Sequence, residues 1–240
     1  MLVKELKDKI RDTEFAHCTE AILSLVLDKP RENIKDDDII SDNDVRLCEE
    51  FAVDFKKSYP FIYERGRMYF MDIPLTITKD VFSPVFATEP FVNKIINDFG
   101  DKKDILEIGT GSGAMAIAIA KKTKANITAT DISFKALKIA EQNAKQNNVK
   151  IKFIQSDLFE NITGTYDLIF SNPPQSKTGD IDTIEKDGKL VIPRLACDGG
   201  NDGFYLYNKI KSEAKKYLNK NGTLILQYDG YINIYNYNEL

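Results

Sequence analysis

The sequence is poor in the residues that build metal sites and disulfide frameworks. It has three cysteines and one histidine in 240 residues. Cys18, Cys48 and Cys197 are far apart and odd in number, and no C-x-x-C pair occurs. That spacing supports neither a zinc ribbon nor a disulfide scaffold. His17 alone cannot assemble a histidine metal site, so no metal is expected. Long apolar runs are also missing: none approaches the ~20 residues needed to span a bilayer. The opening Met1-Leu2-Val3-Lys4-Glu5 lacks the apolar stretch of a signal peptide. The expectation is a cytoplasmic protein without a membrane partner. Basic excess is absent too. Lys and Arg number 33 against 37 Asp and Glu, a net charge of −4, and the pI is about 5.3. Proteins that grip many phosphates usually show a basic surface, so a nucleic-acid partner is disfavoured. What is present is an ordinary globular mix, 42% hydrophobic and 29% charged. The length suits one large domain, alone or with a smaller satellite.

Along the chain the pattern changes twice. Residues 1–57 carry helical periodicity. Leu2, Leu6 and Ile10 recur at helical spacing, and Ala21, Ile22, Leu25 and Val26 share a face of a second helix that stops before Pro30. Ser41 is placed to cap a third helix running to about Lys57. Residues 58–87 turn short, aromatic and β-branched, in Phe61-Ile62-Tyr63, Met68-Tyr69-Phe70 and Ile73 to Ile77. This predicts a hairpin or small sheet linking two domains. Residues 88–240 alternate. Strands are expected at Ile105–Ile108, Ile127–Thr130, Ile151–Ile154, Leu168–Phe170 and Thr223–Leu226, with helices before and between them, the last from Phe204 to Leu218. That order implies an α/β domain with a parallel sheet, ligands binding at the carboxyl ends of its strands.

The densest local signal is Glu107-Ile108-Gly109-Thr110-Gly111-Ser112-Gly113-Ala114, between a predicted strand and a predicted helix. Glycines there allow positive φ and close approach of a ligand to the backbone. About twenty residues on, Asp131 ends the next strand, where a carboxylate can accept from ribose hydroxyls. Gly109, Gly111 and Ala114 also fit the dinucleotide pattern G-x-G-x-x-G/A. Two acids favour S-adenosyl-L-methionine instead. Glu107 at the strand end suits a cationic cofactor bearing an amino acid and sits badly beside a pyrophosphate. Asp157, after the third strand, can accept from the adenine amino group.

The second signal is Ser171-Asn172-Pro173-Pro174-Gln175 after the fourth strand. Two prolines fix φ and remove two N–H donors, leaving carbonyls that face a pocket without competition. The Asn172 side-chain oxygen and the Pro173 carbonyl can then accept both hydrogens of one planar NH₂ group. This presents the nitrogen to a methyl sulfonium and favours the charge that develops on it. No general base is required.

With these residues in view, the chain resembles the protein-(glutamine-N5) methyltransferases that modify peptide chain release factors, Rossmann-like class I enzymes. The helical segment with its hairpin, Ile105–Ala114, Phe170–Pro174 and the late Asp198-Gly199-Gly200-Asn201-Asp202-Gly203 loop carry the likeness. The resemblance implies that Glu107, Gly109, Gly111, Asp131 and Asp157 line the cofactor, with Thr110, Gly113, Ile132, Leu158 and Asn172 completing the set. It also implies that Asn172, Pro173 and Pro174 form the catalytic loop and that Asn172, Pro173 and Gln175 meet the substrate. The helical domain would dock the protein substrate. Gln175 stands where the family has Tyr, and Pro84-Val85-Phe86-Ala87-Thr88-Glu89 keeps only part of the family's P-R-P-E-T-E. Tyr231–Tyr237 is too short for the family's last strand pair. Methylation of an exocyclic amino group on RNA or DNA, and a cofactor-binding protein without catalysis, stay open beside the leading reading. A dinucleotide oxidoreductase lacks an obvious proton donor. The charged segment from Ser176 to Lys189 is expected to be a mobile lid.

Overall fold

The computed structural model describes residues 1–240. The chain divides into two compact units, Met1–Thr78 and Lys79–Leu240, between the expected boundaries at 57/58 and 87/88.

The first unit contains helices α1 (Val3–Lys9), α2 (Thr19–Leu27), α3 (Asp42–Val53) and α4 (Ser58–Arg65) and a hairpin of β1 (Arg67–Phe70) and β2 (Ile73–Thr76). In α2, Ala21 through Val26 are all buried. Ser41 caps α3 by accepting the Asp44 amide at 3.2 Å. Phe61-Ile62-Tyr63, expected as a strand, lies in α4. Pro60 falls in that helix's first turn, where no amide partner is lost, and Gly66, at φ 72°, closes the helix. Arg65 donates to the carbonyls of Leu25 and Val26, satisfying the end of α2. The hairpin turns at Met71 and Asp72, both at positive φ.

The second unit is an α/β domain around a six-stranded sheet. Its strands are β3 (Asp104–Ile108), β4 (Asn126–Asp131), β5 (Lys152–Gln155), β6 (Tyr166–Ser171), β7 (Leu218–Tyr228) and β8 (Tyr231–Asn236). The order is β5-β4-β3-β6-β7-β8. All pairs are parallel except β7 with β8. The strand order reverses between β3 and β6, and the crevice outside their carboxyl ends is where such sheets bind ligands. Intervening helices are α5 (Glu89–Phe99), α6 (Ala114–Lys122), α7 (Phe134–Gln146), α8 (Thr178–Lys186) and α9 (Tyr205–Ala214).

Alternation along β3 separates two buried faces. Leu106 and Ile108 join Ile169, Leu224 and Leu226 in a core that includes Tyr207 and Ile210 of α9. Glu107 points to the other face, in register with Ala129 and Phe170. Phe170 meets Phe91 of α5 edge-on, centroids 6.2 Å apart.

Three expectations change. The last helix stops at Ala214, a 3₁₀ turn follows, and β7 begins at Leu218, earlier than expected. Tyr231–Asn236 does form a strand, one rather than two, because Asp229 and Gly230 take positive φ and fold the chain back tightly. The expected mobile lid contains α8, with Ile181 buried and Ser176 bridged to Asp198. Arg194 fastens this helix. It pairs with Asp182 at 2.6 Å, Glu185 at 2.7 Å and Asp198 at 3.0 Å. Arg194→Ala is expected to speed proteolytic cleavage within residues 186–193, as raised salt should in the parent, because these pairs are screened. Equal cleavage rates in both proteins would show that α8 does not depend on the clasp.

Candidate active site

The carboxyl ends of β3, β4, β5 and β6 surround a cavity of about 410 Å³ in the second unit. Gly109, Thr110 and Gly111 line it, as do Asp131, Ile132, Asp157, Leu158, Asn172, Pro173, Pro174 and Gln175. Of the expected site residues, Glu107 and Gly113 do not line it.

Gly109 and Gly111 take φ of 75° and 56°, and a Cβ on either would meet nothing within 4 Å. Their freedom is therefore needed for backbone conformation, and the space above them is open. Gly113 differs. A Cβ there would lie 3.1 Å from the Ala140 Cβ, so this glycine lets α6 and α7 pack closely. Asn143 of α7 adds a buried bond, donating to the Ser112 carbonyl at 2.9 Å.

Asp131 accepts the Gly111 amide at 2.8 Å and the Ser133 amide at 2.9 Å, one on each oxygen. Each oxygen keeps a second acceptor site. Burial moves this carboxyl above the usual range, against those amide bonds.

Glu107 is fully buried beneath the glycine turn. Its Oε2 accepts from the Thr110 hydroxyl at 2.5 Å, and its Oε1 has no hydrogen-bond partner. Burial among apolar neighbours pushes its pKa to about 8, opposed by the Thr110 bond and reinforced by Asp131. The Ala116 amide also favours the charged form, without completing a hydrogen bond to Oε1.

Leu158 has φ 48°, a costly conformation for a leucine. Ser156 holds it there. Its hydroxyl donates to the Leu158 carbonyl at 2.9 Å and accepts the Asn161 amide at 3.0 Å.

Asn172 follows β6, whose last residue, Ser171, donates to the Ile108 carbonyl at 2.7 Å and ties the two loops together. The Asn172 Oδ1 accepts from the Gln175 Nε2 at 3.1 Å. The late glycine loop packs directly on this segment. A Cβ on Gly199 would fall 2.6 Å from the Pro174 carbonyl oxygen, and one on Gly203 would fall 2.5 Å from that of Gln175. The Gly199 amide donates to the Ser176 carbonyl at 2.8 Å across this contact, and the Ser176 amide to that of Cys197 at 2.9 Å. Gly199→Ala is therefore expected to cost about 2–3 kcal/mol by overpacking, lowering the melting temperature roughly 5–10 °C. A shift under about 2 °C in a thermal melt would show that the loops part freely.

Thr88, from the partly kept Pro84–Glu89 stretch, lines the cavity, and so do three residues that carried no signal in the sequence: Met115, Leu195 and Cys197. They lie outside any motif and reach the cavity only through the fold.

The site thus combines an open glycine turn, two acids at strand ends and an acceptor-rich proline loop, the equipment of a methyltransferase. Residues 78–186 match the methyltransferase small domain family. A release factor glutamine methyltransferase of Lactococcus lactis is 35% identical over 192 residues, covering 78% of this chain and 70% of the relative. A ribosomal protein uL3 glutamine methyltransferase of Francisella tularensis is 35% identical over 180 residues, covering 72% of this chain and 56% of the relative. Among solved structures, a methyltransferase from Pyrococcus furiosus is 22% identical, with a TM-score of 0.48 over 73% of this chain and 79% of its own. The chain is an S-adenosylmethionine-dependent methyltransferase. It belongs to the protein-(glutamine-N5) methyltransferase family. No helix is long and apolar enough to cross a membrane.

Proposed function

We propose that this enzyme methylates the side-chain amide nitrogen of a glutamine in a protein substrate, a peptide chain release factor, in the cytoplasm. The observation that carries this is the Asn172 Oδ1, set at the cavity between the glycine turn and two prolines and already accepting from a carboxamide NH₂. The names of the relatives support a protein glutamine as acceptor.

In this reading the residues divide into two groups. Gly109, Thr110 and Gly111 give the cofactor open backbone to lie against. Asp131 offers its unused acceptor sites to ribose hydroxyls, with Ile132 and Leu158 beside the adenine and Asp157 accepting its amino group. Glu107, beneath the turn, supplies negative charge opposite the cofactor's cationic end. Gly113 contributes through helix packing. When bound, S-adenosylmethionine supplies an electrophilic methyl group on a sulfonium.

Asn172 and Pro173 accept the two amide hydrogens and hold the substrate nitrogen, while Pro174 keeps the loop free of competing donors. As the nitrogen takes the methyl group from the sulfonium it gains positive charge, and the two acceptors bind its hydrogens more tightly than in the ground state until one leaves as a proton to solvent. The helical segment 1–57 is proposed to dock the protein substrate.

The test uses S-adenosylmethionine with a labelled methyl group and purified, unmethylated release factor. Label mapped by mass spectrometry to a glutamine side chain is the expected result. Label in added RNA or DNA instead, with none in protein, would move the acceptor to a base amino group.

A further inference from the structure

We propose that Gln175 is a specificity gate: its side-chain amide takes one of the two acceptor positions of the Asn172 oxygen and competes there with the substrate's amide. This rests on the reading of Asn172 as the substrate acceptor.

The orientation of Gln175 is set from both ends. Its Oε1 accepts the backbone amide of Asp229 at 2.5 Å. A backbone N–H can only donate, so the oxygen end must face Asp229. The NH₂ end then turns to Asn172, 3.1 Å away. Asp229 is fixed in turn, because it and Gly230 form the tight turn joining β7 to β8 at φ 48° and 77°.

The main chain of Gln175 has little room to withdraw. A Cβ on Gly199 would fall 2.8 Å from its Cα, and one on Gly203 would fall 2.5 Å from its carbonyl oxygen. The Ser176 amide is bonded to the Cys197 carbonyl at 2.9 Å. Opening the site therefore falls to the Gln175 side chain.

The group on Asn172 is a primary carboxamide, chemically the same as the substrate's. It competes as an intramolecular stand-in. A substrate amide with both hydrogens placed for Asn172 and Pro173 displaces it. A group offering one hydrogen only exchanges one such bond for another and gains nothing net. The gate thus raises KM for the protein substrate and discriminates against poorly aligned amides.

Gln175→Met keeps the length of the side chain and removes its donor. The effect is read as a fall in KM for unmethylated release factor of about three- to tenfold, the equilibrium weight of one net hydrogen bond. The change should appear in KM rather than kcat. Gln175→Leu is measured alongside, so that one poorly folded variant does not decide the outcome. A second readout needs no turnover. In substrate-free protein, the side-chain ¹⁵NH₂ resonances of Gln175 should shift in Asn172→Ala.

An unchanged or raised KM in both folded variants overturns the gate, as does a resonance that does not move. Failure of the parent enzyme to label release factor while it binds cofactor overturns the substrate reading, and the gate's function with it. Label in the parent with unchanged KM in the variants overturns the gate alone.

Discussion

Asn172→Ala is expected to bind S-adenosylmethionine about as tightly as the parent and to transfer its methyl group about 10²–10³-fold more slowly, the effect of removing one preorganised hydrogen-bonding group. The loss should fall on kcat. An amide nitrogen is a poor nucleophile because its lone pair is delocalised into the carbonyl. As it takes the methyl group that delocalisation is lost and positive charge gathers on its NH₂. An acceptor already in place stabilises that charge without reorganising. Asn172 is held in place. Ser171, just before it, is pinned to the Ile108 carbonyl, and the prolines after it have fixed φ. The glycine turn and Asp131 make no side-chain bond to Asn172, so cofactor affinity should survive. Single-turnover transfer and cofactor titration check the two halves separately. Transfer within threefold of the parent, a rough bound well inside the expected effect, would show that Asn172 is not the amide acceptor. Equal loss of cofactor affinity would make it part of the cofactor site instead.

The order of chemistry along the chain was legible because each signal is local. The strand–glycine–helix run, an acid at the next strand end and N-P-P after a later strand all state their own context. The register that seats Glu107 between Ala129 and Phe170, behind the cavity lining, was not legible, since it needs two neighbouring strands. Nor was the role of Gly199 and Gly203. Asp198–Gly203 carried the family likeness, but its reason, close packing on Pro174 and Gln175, is a contact between distant loops. The strain at Leu158 has no sequence signature at all, because leucine is an ordinary residue that Ser156 and its fold hold at positive φ. The errors have local causes as well. Phe61–Tyr63 is aromatic and β-branched, yet Gly66 closes a helix there and burial of Ile62 decides for it. The charged run after Gln175 looked like a free lid. Its acids Asp182 and Glu185 instead meet Arg194, which follows only after a turn of chain.

Glu107→Gln should weaken cofactor binding and remove the carboxyl's share of its pH dependence while stabilising the cofactor-free protein in alkali. The parent carboxyl has a pKa near 8 when buried, against an ordinary value of 4.5. A raised carboxyl contributes stability that is fully present below 4.5 and lost as pH rises through 8, because the folded chain must then hold a buried charge. The cofactor-free parent should therefore melt progressively lower from about pH 5 to pH 9, whereas the glutamine variant, with nothing to ionise there, stays flatter and overtakes it. Cofactor binding runs the other way. A cation opposite Glu107 favours the charged carboxylate, so binding releases a proton below pH 8. If only the ionised form binds well, this ionisation alone raises affinity about tenfold between pH 7 and pH 9, the linkage expected for one group at that pKa. The cofactor's own α-amino group titrates nearby, at about 7.7–8.0 in model compounds. The variant retains that titration, so the difference between the two proteins isolates Glu107. Calorimetric titration in two buffers of unlike ionisation enthalpy reads the released proton directly. Equal proton release in parent and variant, with parallel melting curves, would mean that Glu107 keeps its proton in both states and that its role is confined to the bond with Thr110.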